Sequence, residues 1–285
     1  LIFYLIIWVK EVTLSNMLSV IIITKNEESM LKTCLESVKW ADEIIVADSG
    51  SEDKTLEIAK KYTDRVIKVT GNNFAGWRNQ SLEKAQGDYV LFVDADERVL
   101  SFLKEEILQK MGELDSQEVA WAIPRRNIIL GEEKSYKAFW PDFVVRLFKK
   151  DKLKGYQGEV HEQPVVDGKV GRFKNPFLHL THRDIDSMVL KSLSWGNIDA
   201  GLKLKDSHPK MTGPRFIKIL FTQLWKETVT RGGVFGGTVG VIDSLLQTFS
   251  VYISYVKLWQ LQRMESLSET YSKIDEQLLK NDFRY

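Results

Sequence analysis

The sequence predicts an α/β fold: a Rossmann-like, mostly parallel sheet flanked by helices, followed by a C-terminal helical region that associates with membrane. Three observations carry this. β-branched apolar runs alternate with segments of helical period through the first third of the chain, the pattern of βαβ units. The apolar run at residues 89–93 stops abruptly at Asp94-Ala95-Asp96, as when a buried parallel strand delivers acids to the carboxyl edge of a sheet, where open α/β sheets bind ligands. From Lys203 onward, basic residues flank Trp- and Phe-rich apolar stretches, a composition suited to helices lying in a membrane interface.

Each element follows from its residues. Leu18-Ser19-Val20-Ile21-Ile22-Ile23-Thr24 is β-branched and apolar, a first buried strand. Lys25-Asn26-Glu27-Glu28 interrupts it, and residues 29–40 set Met30, Leu31, Leu35 and Val38 at helical spacing. Glu43-Ile44-Ile45-Val46-Ala47-Asp48 is a second strand that again ends in an acid, and Ser49-Gly50-Ser51 is a turn. A helix over 55–62, a short strand over 65–69 and a helix over 76–85 precede the strand into Asp94. Residues 102–111 predict a helix, and 119–125 and 143–148 predict antiparallel strands joined by a loop carrying Trp140-Pro141-Asp142. Residues 155–164 are Gly-rich and polar, Phe177-Leu178-His179-Leu180 is a short strand, and Asp184 caps a helix running through Leu193.

Two C-terminal helices follow. The first has an apolar face of Ile217, Leu220, Phe221, Leu224 and Trp225. After a glycine-rich element at 232–237, the second carries Leu245, Leu246, Phe249, Tyr252, Ile253 and Val256. Asp243 and Gln247 interrupt the second run, which favours a helix lying on a membrane over one crossing it. The plainer reading is a helical pair packed on the body of the protein or on a second subunit. The expected divisions are an extension over 1–16, a catalytic domain over 17–205 and a helical region over 206–285.

Composition removes other classes. Forty basic and thirty-nine acidic residues leave a net charge of +1, so nothing argues for nucleic acid. The single cysteine, Cys34, excludes an internal disulfide and sits at a packing position of a helix. One cysteine and four histidines argue against a zinc cluster. The apolar residues 1–9 are too few to span a bilayer and lack the flanks of a cleaved signal. Met17 as the natural start, or a peripheral extension before it, is the expectation, with cytoplasmic residence as the default.

Asp94 and Asp96 are poor packing residues but good ligands for a hard divalent cation, and such a cation suits a diphosphate. Four segments converge on the same sheet edge: Thr24-Lys25-Asn26-Glu27, Asp48-Ser49-Gly50-Ser51, the region before Arg78, and Asp94-Ala95-Asp96. With Arg78-Asn79-Gln80-Ser81 and the Gly87-Asp88 lead-in to the acidic strand, this set resembles the glycosyltransferase family 2 pattern of the GT-A fold. Arg146-Leu147-Phe148, Gly158-Glu159-Val160-His161-Glu162, Leu178-His179-Leu180-Thr181-His182-Arg183 and a C-terminal apolar helix ending near Lys257-Leu258-Trp259 are similar to bacterial lipopolysaccharide core glucosyltransferases acting on heptose.

The resemblance implies an inverting transfer of a sugar, glucose, from a UDP-linked donor to a membrane-associated glycan or lipid such as lipopolysaccharide core. It places the enzyme on the inner face of the cytoplasmic membrane. A Mn2+ or Mg2+ ion is implied as cofactor, and a homo-oligomer is compatible with the sequence. Asp48 would meet uracil or ribose, with Thr24, Asn26, Ser49 and Gly50 shaping that edge and Glu27 accepting from ribose. Arg78 would contact the diphosphate or base, Asp94 the ribose or a metal-bound water, and Asp96 the metal. His179 is the candidate third ligand, and His182 competes for that role. Glu162 is the first choice of general base, Asp142 the second and Glu159 the third, with His161 orienting the carboxylate. Plainer readings stand beside these: Glu27 as a helix-start carboxylate, Arg78 as an exposed helix arginine, the histidines as satisfied structural groups. Two rival functions are a sugar-1-phosphate nucleotidyltransferase, which would want a basic Gly-rich loop after the first strand, and a non-catalytic scaffold, which would have no reason to keep the acids.

Overall fold

A computed structural model describes residues 16–71, 73–113, 116–134, 140–158, 162–281 and 283. Its first half is a parallel sheet. Strand β1 (Leu18–Thr24) is buried along its whole length, because it carries no charged residue and helices cover both faces. Helix α1 (Leu31–Val38) leads to β2 (Glu43–Asp48), α2 (Thr55–Ala59) to β3 (Val66–Lys68), and α3 (Phe74–Leu82) to β4 (Tyr89–Asp94). β2 and β4 pair with β1 in parallel, and β3 pairs with β2. The register sets Thr24 beside Asp48 and Ile23 beside Asp94, so the acids come out along one edge.

Alternate residues of the central strands feed two cores. Val20, Ile22, Leu91 and Val93 pack with Leu31, Leu35 and Val38 of α1, whereas Ile21, Val90 and Phe92 pack with Ile45 and Phe148. Gly87 lets the chain enter β4 tightly against β1. A Cβ there would lie 2.6 Å from the Met17 carbonyl oxygen and 2.7 Å from the Ser19 nitrogen.

After β4 come β5 (Glu97–Val99), α4 (Ser101–Gly112), β6 (Glu118–Ile129), β7 (Glu132–Lys134) and β8 (Asp142–Lys149). Then follow β9 (Leu153–Gln157), β10 (Gln163–Val166), β11 (Lys169–Arg172) and β12 (Phe177–Thr181). The sheet order is β3-β2-β1-β4-β8-β6-β12-β5. β8 runs antiparallel to both β4 and β6, as the sequence predicted for the two strands around Trp140-Pro141-Asp142. β6 pairs with β8 and β7 along one edge and with β11 and β12 along the other. Both outermost strands, β3 and β5, are three residues long. β9 and β10 form a separate hairpin inside the segment read as polar and glycine-rich.

Helix α5 (Ile185–Lys205) starts as predicted, with the Asp184 side chain accepting from the Ser187 nitrogen at 2.7 Å. It runs past the predicted end at Leu193, because no glycine-capped stop or proline intervenes before Asp206. Then come α6 (Gly213–Trp225), α7 (Gly237–Leu261) and α8 (Leu267–Lys280), the last opened by a capping box between Ser266 and Glu269. α7 packs on α5, where a Cβ on Gly196 would lie 3.2 Å from Ile253 Cγ2. Phe216 of α6 lies 5.7 Å from Tyr252 of α7, centroid to centroid.

The predicted apolar face of α6 points away from the body. Phe221 and Trp225 are each 65% exposed, Ile217 and Leu220 are exposed as well, and no residue of α6 is buried. α7 is inverted in the same sense. It buries Asp243, Ser244, Thr248 and Ser254 and exposes Val241, Leu245 and Phe249. The buried hydroxyls of Ser244 and Thr248 return to helix carbonyls at 2.8 Å.

Candidate active site

The strand ends build the site in two tiers. In the first, the Asp48 carboxylate closes its own turn, accepting from the Gly50 nitrogen at 2.9 Å, the Ser51 nitrogen at 3.0 Å and the Ser51 hydroxyl at 2.5 Å. Gly50 has φ +104°, open to glycine at no steric cost. The Ser49 nitrogen donates to the Thr24 carbonyl at 3.1 Å, tying the ends of β1 and β2 together. Asn26, with φ +55°, donates its nitrogen to the Ser51 hydroxyl at 2.9 Å and accepts from the Glu52 nitrogen at 2.8 Å. Thr24, Asn26, Asp48, Ser49 and Gly50 thus form one rigid edge.

Glu27 stands beside it. Its carbonyl accepts from the nitrogens of Met30 and Leu31 as α1 begins. Its carboxylate takes Arg183 Nη2 at 2.9 Å, linking the first strand end to the segment after β12. Burial raises the Glu27 pKa above the usual carboxylate range; Arg183 opposes this and Asp96 adds to it.

The second tier is a cleft of about 510 Å³, lined among others by Arg78, Asp94, Asp96, Arg146, Glu162 and His179. Asp94 is gripped by two guanidiniums, Arg78 Nη2 at 3.0 Å and Arg146 Nη2 in a closer contact. Burial pushes the Asp94 carboxyl up, but Arg146 and Arg78 outweigh it and hold it well below the usual range. Behind it, fully buried Glu97 accepts from the Asp94 nitrogen at 2.9 Å and lies 3.6 Å from Arg146. Burial raises the Glu97 pKa, against the pull of Arg146.

Asp96 faces His179 Nε2 at 3.5 Å. Burial would raise the Asp96 pKa, but the contact with His179 brings it below the ordinary value. His179 Nδ1 lies 2.7 Å from Asn127 Oδ1. An amide oxygen only accepts, so that contact places a proton on Nδ1 and fixes the ring with Nε2 toward Asp96. A hydrogen bond of this kind at the far ring nitrogen is what orients a metal-ligating histidine. Among the described residues, no three His, Cys, Asp or Glu side chains stand together at metal-ligand spacing.

The candidate bases separate. Glu162 lines the cleft with Oε1 3.4 Å from Arg78 Nε. Asp142 is clamped by Arg125, through Nε at 2.9 Å and Nη2 at 2.6 Å, and is not part of the cleft lining. Glu159 and His161 lie outside the described residues. His182 turns from the cleft, its Nδ1 3.0 Å from the buried Asp243 of α7. Arg78 is no exposed helix arginine: it is 2% exposed, 5.2 Å from the Phe92 ring centroid and 5.4 Å from that of Tyr156. Its Nη1, the Nε of Arg146 and the Tyr156 hydroxyl are buried without a hydrogen-bond partner among the described residues. Burial pushes the Tyr156 hydroxyl up to about 12.

Sequence reasoning gave no role to Arg125, Asn127, Arg146 or Glu97. A signal existed for two of them. Arg125 and Asn127 alternate at the end of the apolar run of β6 as Asp94 and Asp96 do at the end of β4. Arg146 and Glu97 gave none, since their partners come from strands distant in sequence.

The family model described as Glycosyl transferase family 2 matches residues 19–172. The lipopolysaccharide core biosynthesis glycosyltransferase LpsC of Rhizobium meliloti (strain 1021) is 26% identical over 259 residues, which cover 87% of this chain and 94% of that protein. An uncharacterized glycosyltransferase of Rickettsia bellii (strain RML369-C) is 25% identical over 264 residues, covering 87% of this chain and 88% of the relative. Among solved structures, S. aureus TarS is similar with a TM-score of 0.44 and 15% identity, over 90% of this chain and 91% of that one.

Proposed function

The chain belongs to glycosyl transferase family 2, and from that premise we propose that it moves glucose, with inversion, from a UDP-linked donor to a membrane-borne glycan or lipid of the lipopolysaccharide core type. The observation that carries the reading is the Asp96–His179 pair, set beside Arg78 and Glu162 in one cleft at the carboxyl ends of the parallel strands. The first tier, from Thr24 to Gly50 with Glu27 and Asp48, receives the nucleoside; the second receives the diphosphate and the sugar.

The residues present fit a Mn2+ or Mg2+ ion. Asp96 would offer a carboxylate oxygen and His179, its ring fixed by Asn127, its Nε2, while such ions complete their shell with substrate phosphate oxygens and water. When bound, the metal would neutralise charge on the diphosphate leaving group. Asp94, spent on two arginines, fixes Arg78 and Arg146 in the cleft wall. The orphaned Nη1 of Arg78 gives that wall an unused donor for a bound phosphate. Glu162 takes the proton of the acceptor hydroxyl as that oxygen attacks the anomeric carbon. Asp142 is the weaker choice, because its carboxylate is already committed to Arg125.

The outward apolar faces of α6 and α7, with Lys210, Arg215, Lys218 and Lys226 along α6 and its flanks, support a peripheral seat on the inner face of the cytoplasmic membrane. The segment Gly233–Leu261 is long and apolar enough to cross a bilayer by length and composition. The buried contact of Asp243 with His182 ties its first turns to the catalytic body and favours a helix lying flat. The similarity to LpsC supports an acceptor of that kind.

The test is calorimetric titration of UDP, GDP and CDP, each with and without Mn2+, into the wild type and Asp96→Ala. Metal-dependent UDP binding that the variant loses is the expected result. Metal-independent binding equal in both proteins would remove Asp96 from the metal, and a preference for GDP or CDP would overturn the donor.

A further inference from the structure

Four cations line the cleft, Arg78, Arg125, Arg146 and Lys191. Three are committed to carboxylates: Arg78 and Arg146 to Asp94, and Arg125 to Asp142. Arg183, just outside, is committed to Glu27. Lys191 alone in this set makes no ion pair with a described residue, yet its charge acts on both Asp96 and Glu27, the carboxylates of the two tiers. An ammonium on the cleft wall whose charge acts on both carboxylates, with no ion pair to a described residue, is available to an anionic ligand.

Its mounting is firm. Lys191 lies in the second turn of α5, one turn before Trp195, which also lines the cleft and faces Phe74 at 6.3 Å between centroids. The start of the helix is capped by Asp184, and beyond Trp195 the helix closes on α7 through Gly196. The backbone under Lys191 is therefore held at both ends, while the ammonium stays free to take a ligand.

We infer that Lys191 is a catalytic residue that binds the diphosphate and neutralises it as it leaves. This rests on the glycosyl-transfer reading of the same cleft. In that reaction the bond from the anomeric carbon to the diphosphate oxygen breaks, and its electron pair stays on that oxygen. The acceptor oxygen bonds to the carbon, and its proton passes to Glu162. The leaving diphosphate gains a negative charge in the process, so an uncommitted cation is worth more in the transition state than in the bound donor. Lys191 accordingly acts mainly on kcat, and it tells a nucleoside diphosphate from a monophosphate.

The experiment is titration of UDP and of UMP into wild type, Lys191→Ala and Lys191→Arg, in Mn2+ and again in EDTA, with steady-state transfer from UDP-glucose alongside. Lys191→Ala should weaken UDP about tenfold in both media and leave UMP unchanged, with kcat falling on the order of a hundredfold and KM much less. Lys191→Arg should restore most of the UDP affinity. Equal UDP binding by the wild type and Lys191→Ala, or equal loss for UDP and UMP, would overturn the role of Lys191 and leave the glycosyl-transfer reading standing. A wild type that binds no UDP, with or without metal, would overturn both. Lys191 is exposed, so unchanged thermal unfolding of Lys191→Ala is expected and separates loss of binding from loss of fold.

Discussion

Helices α1 and α6 carry the same kind of apolar stripe and meet opposite fates. Leu31, Cys34, Leu35 and Val38 of α1 are all buried against the parallel sheet. Ile217, Leu220, Phe221 and Trp225 of α6 are all exposed, although Phe216 and Ile219 on the opposite side do find α7 and its neighbours. A stripe at helical period says that a helix has a face to hide; it does not say whether the hiding place lies within the chain. The first half of α7 follows α6, with Asp243, Ser244 and Thr248 buried while Leu245 and Phe249 face out, whereas Leu258 further along is buried. The body of this protein buries its apolar faces in its own interior, whereas those of the tail stay exposed.

The body and the tail can be perturbed separately. The largest effect belongs to the body: Asp96→Ala should lower transfer about a thousandfold while vesicle binding and unfolding temperature stay unchanged. Retained transfer in that variant would mean that the edge of the sheet is not where the chemistry sits. Next come paired truncations read by urea unfolding. Leu35→Ala should cost about 2–5 kcal/mol by opening a cavity in a fully buried site. Phe221→Ala should stay within about 0.5 kcal/mol. A large cost at Phe221 would show that a second copy of the chain already covers that face. Smaller again is the tail's own property. Ile217→Ser, Phe221→Ser and Trp225→Ser together should release the protein from anionic vesicles by tenfold or more in a flotation assay, with UDP affinity untouched. Undiminished flotation would place the membrane contact elsewhere.

The smallest effect concerns pH. The Asp94 carboxyl is held low by Arg146 and Arg78 against its burial, so its ionised form stabilises the fold. That stability is present above the ordinary carboxylate range and is lost as pH falls through the lowered value. Glu97, raised by burial, works the other way, its contribution fading as pH rises through its raised value. Wild-type stability should therefore fall on acidification below about pH 4, and Asp94→Asn should flatten that limb. Parallel acid limbs in the two proteins would assign the acid sensitivity to other carboxylates.

The parallel half was legible because its signals are local. β1, β2 and β4 are each buried on both sides, so their strands read as continuous apolar runs ending at turn residues or acids, and Asp48, Asp94 and Asp96 fall where those runs stop. His179 could be singled out for a similar reason, as a polar residue within a short apolar strand. What was not legible is pairing between distant strands. Nothing near Arg146 in sequence announces Asp94, and nothing near Asp142 announces Arg125, which pairs with its carboxylate. For Arg78 the plainer reading of an exposed helix arginine stands beside the binding one, and the stacking of Phe92 and Tyr156 around it shows that it is buried. β5 escapes because three residues are too few to show a period.

β3 and β5 end the main strand order of the large sheet with three residues each, and β7 and β11, paired only with β6, add borders of three and four residues. The long strands that could template extended pairing, β1, β4 and β6, have neighbours on both sides. A sheet bounded in this way resists lengthwise stacking of one molecule on the next. When this protein is concentrated without lipid or detergent, its self-association should run through the bare faces of α6 and α7 and give soluble, dissociable clusters rather than fibrils.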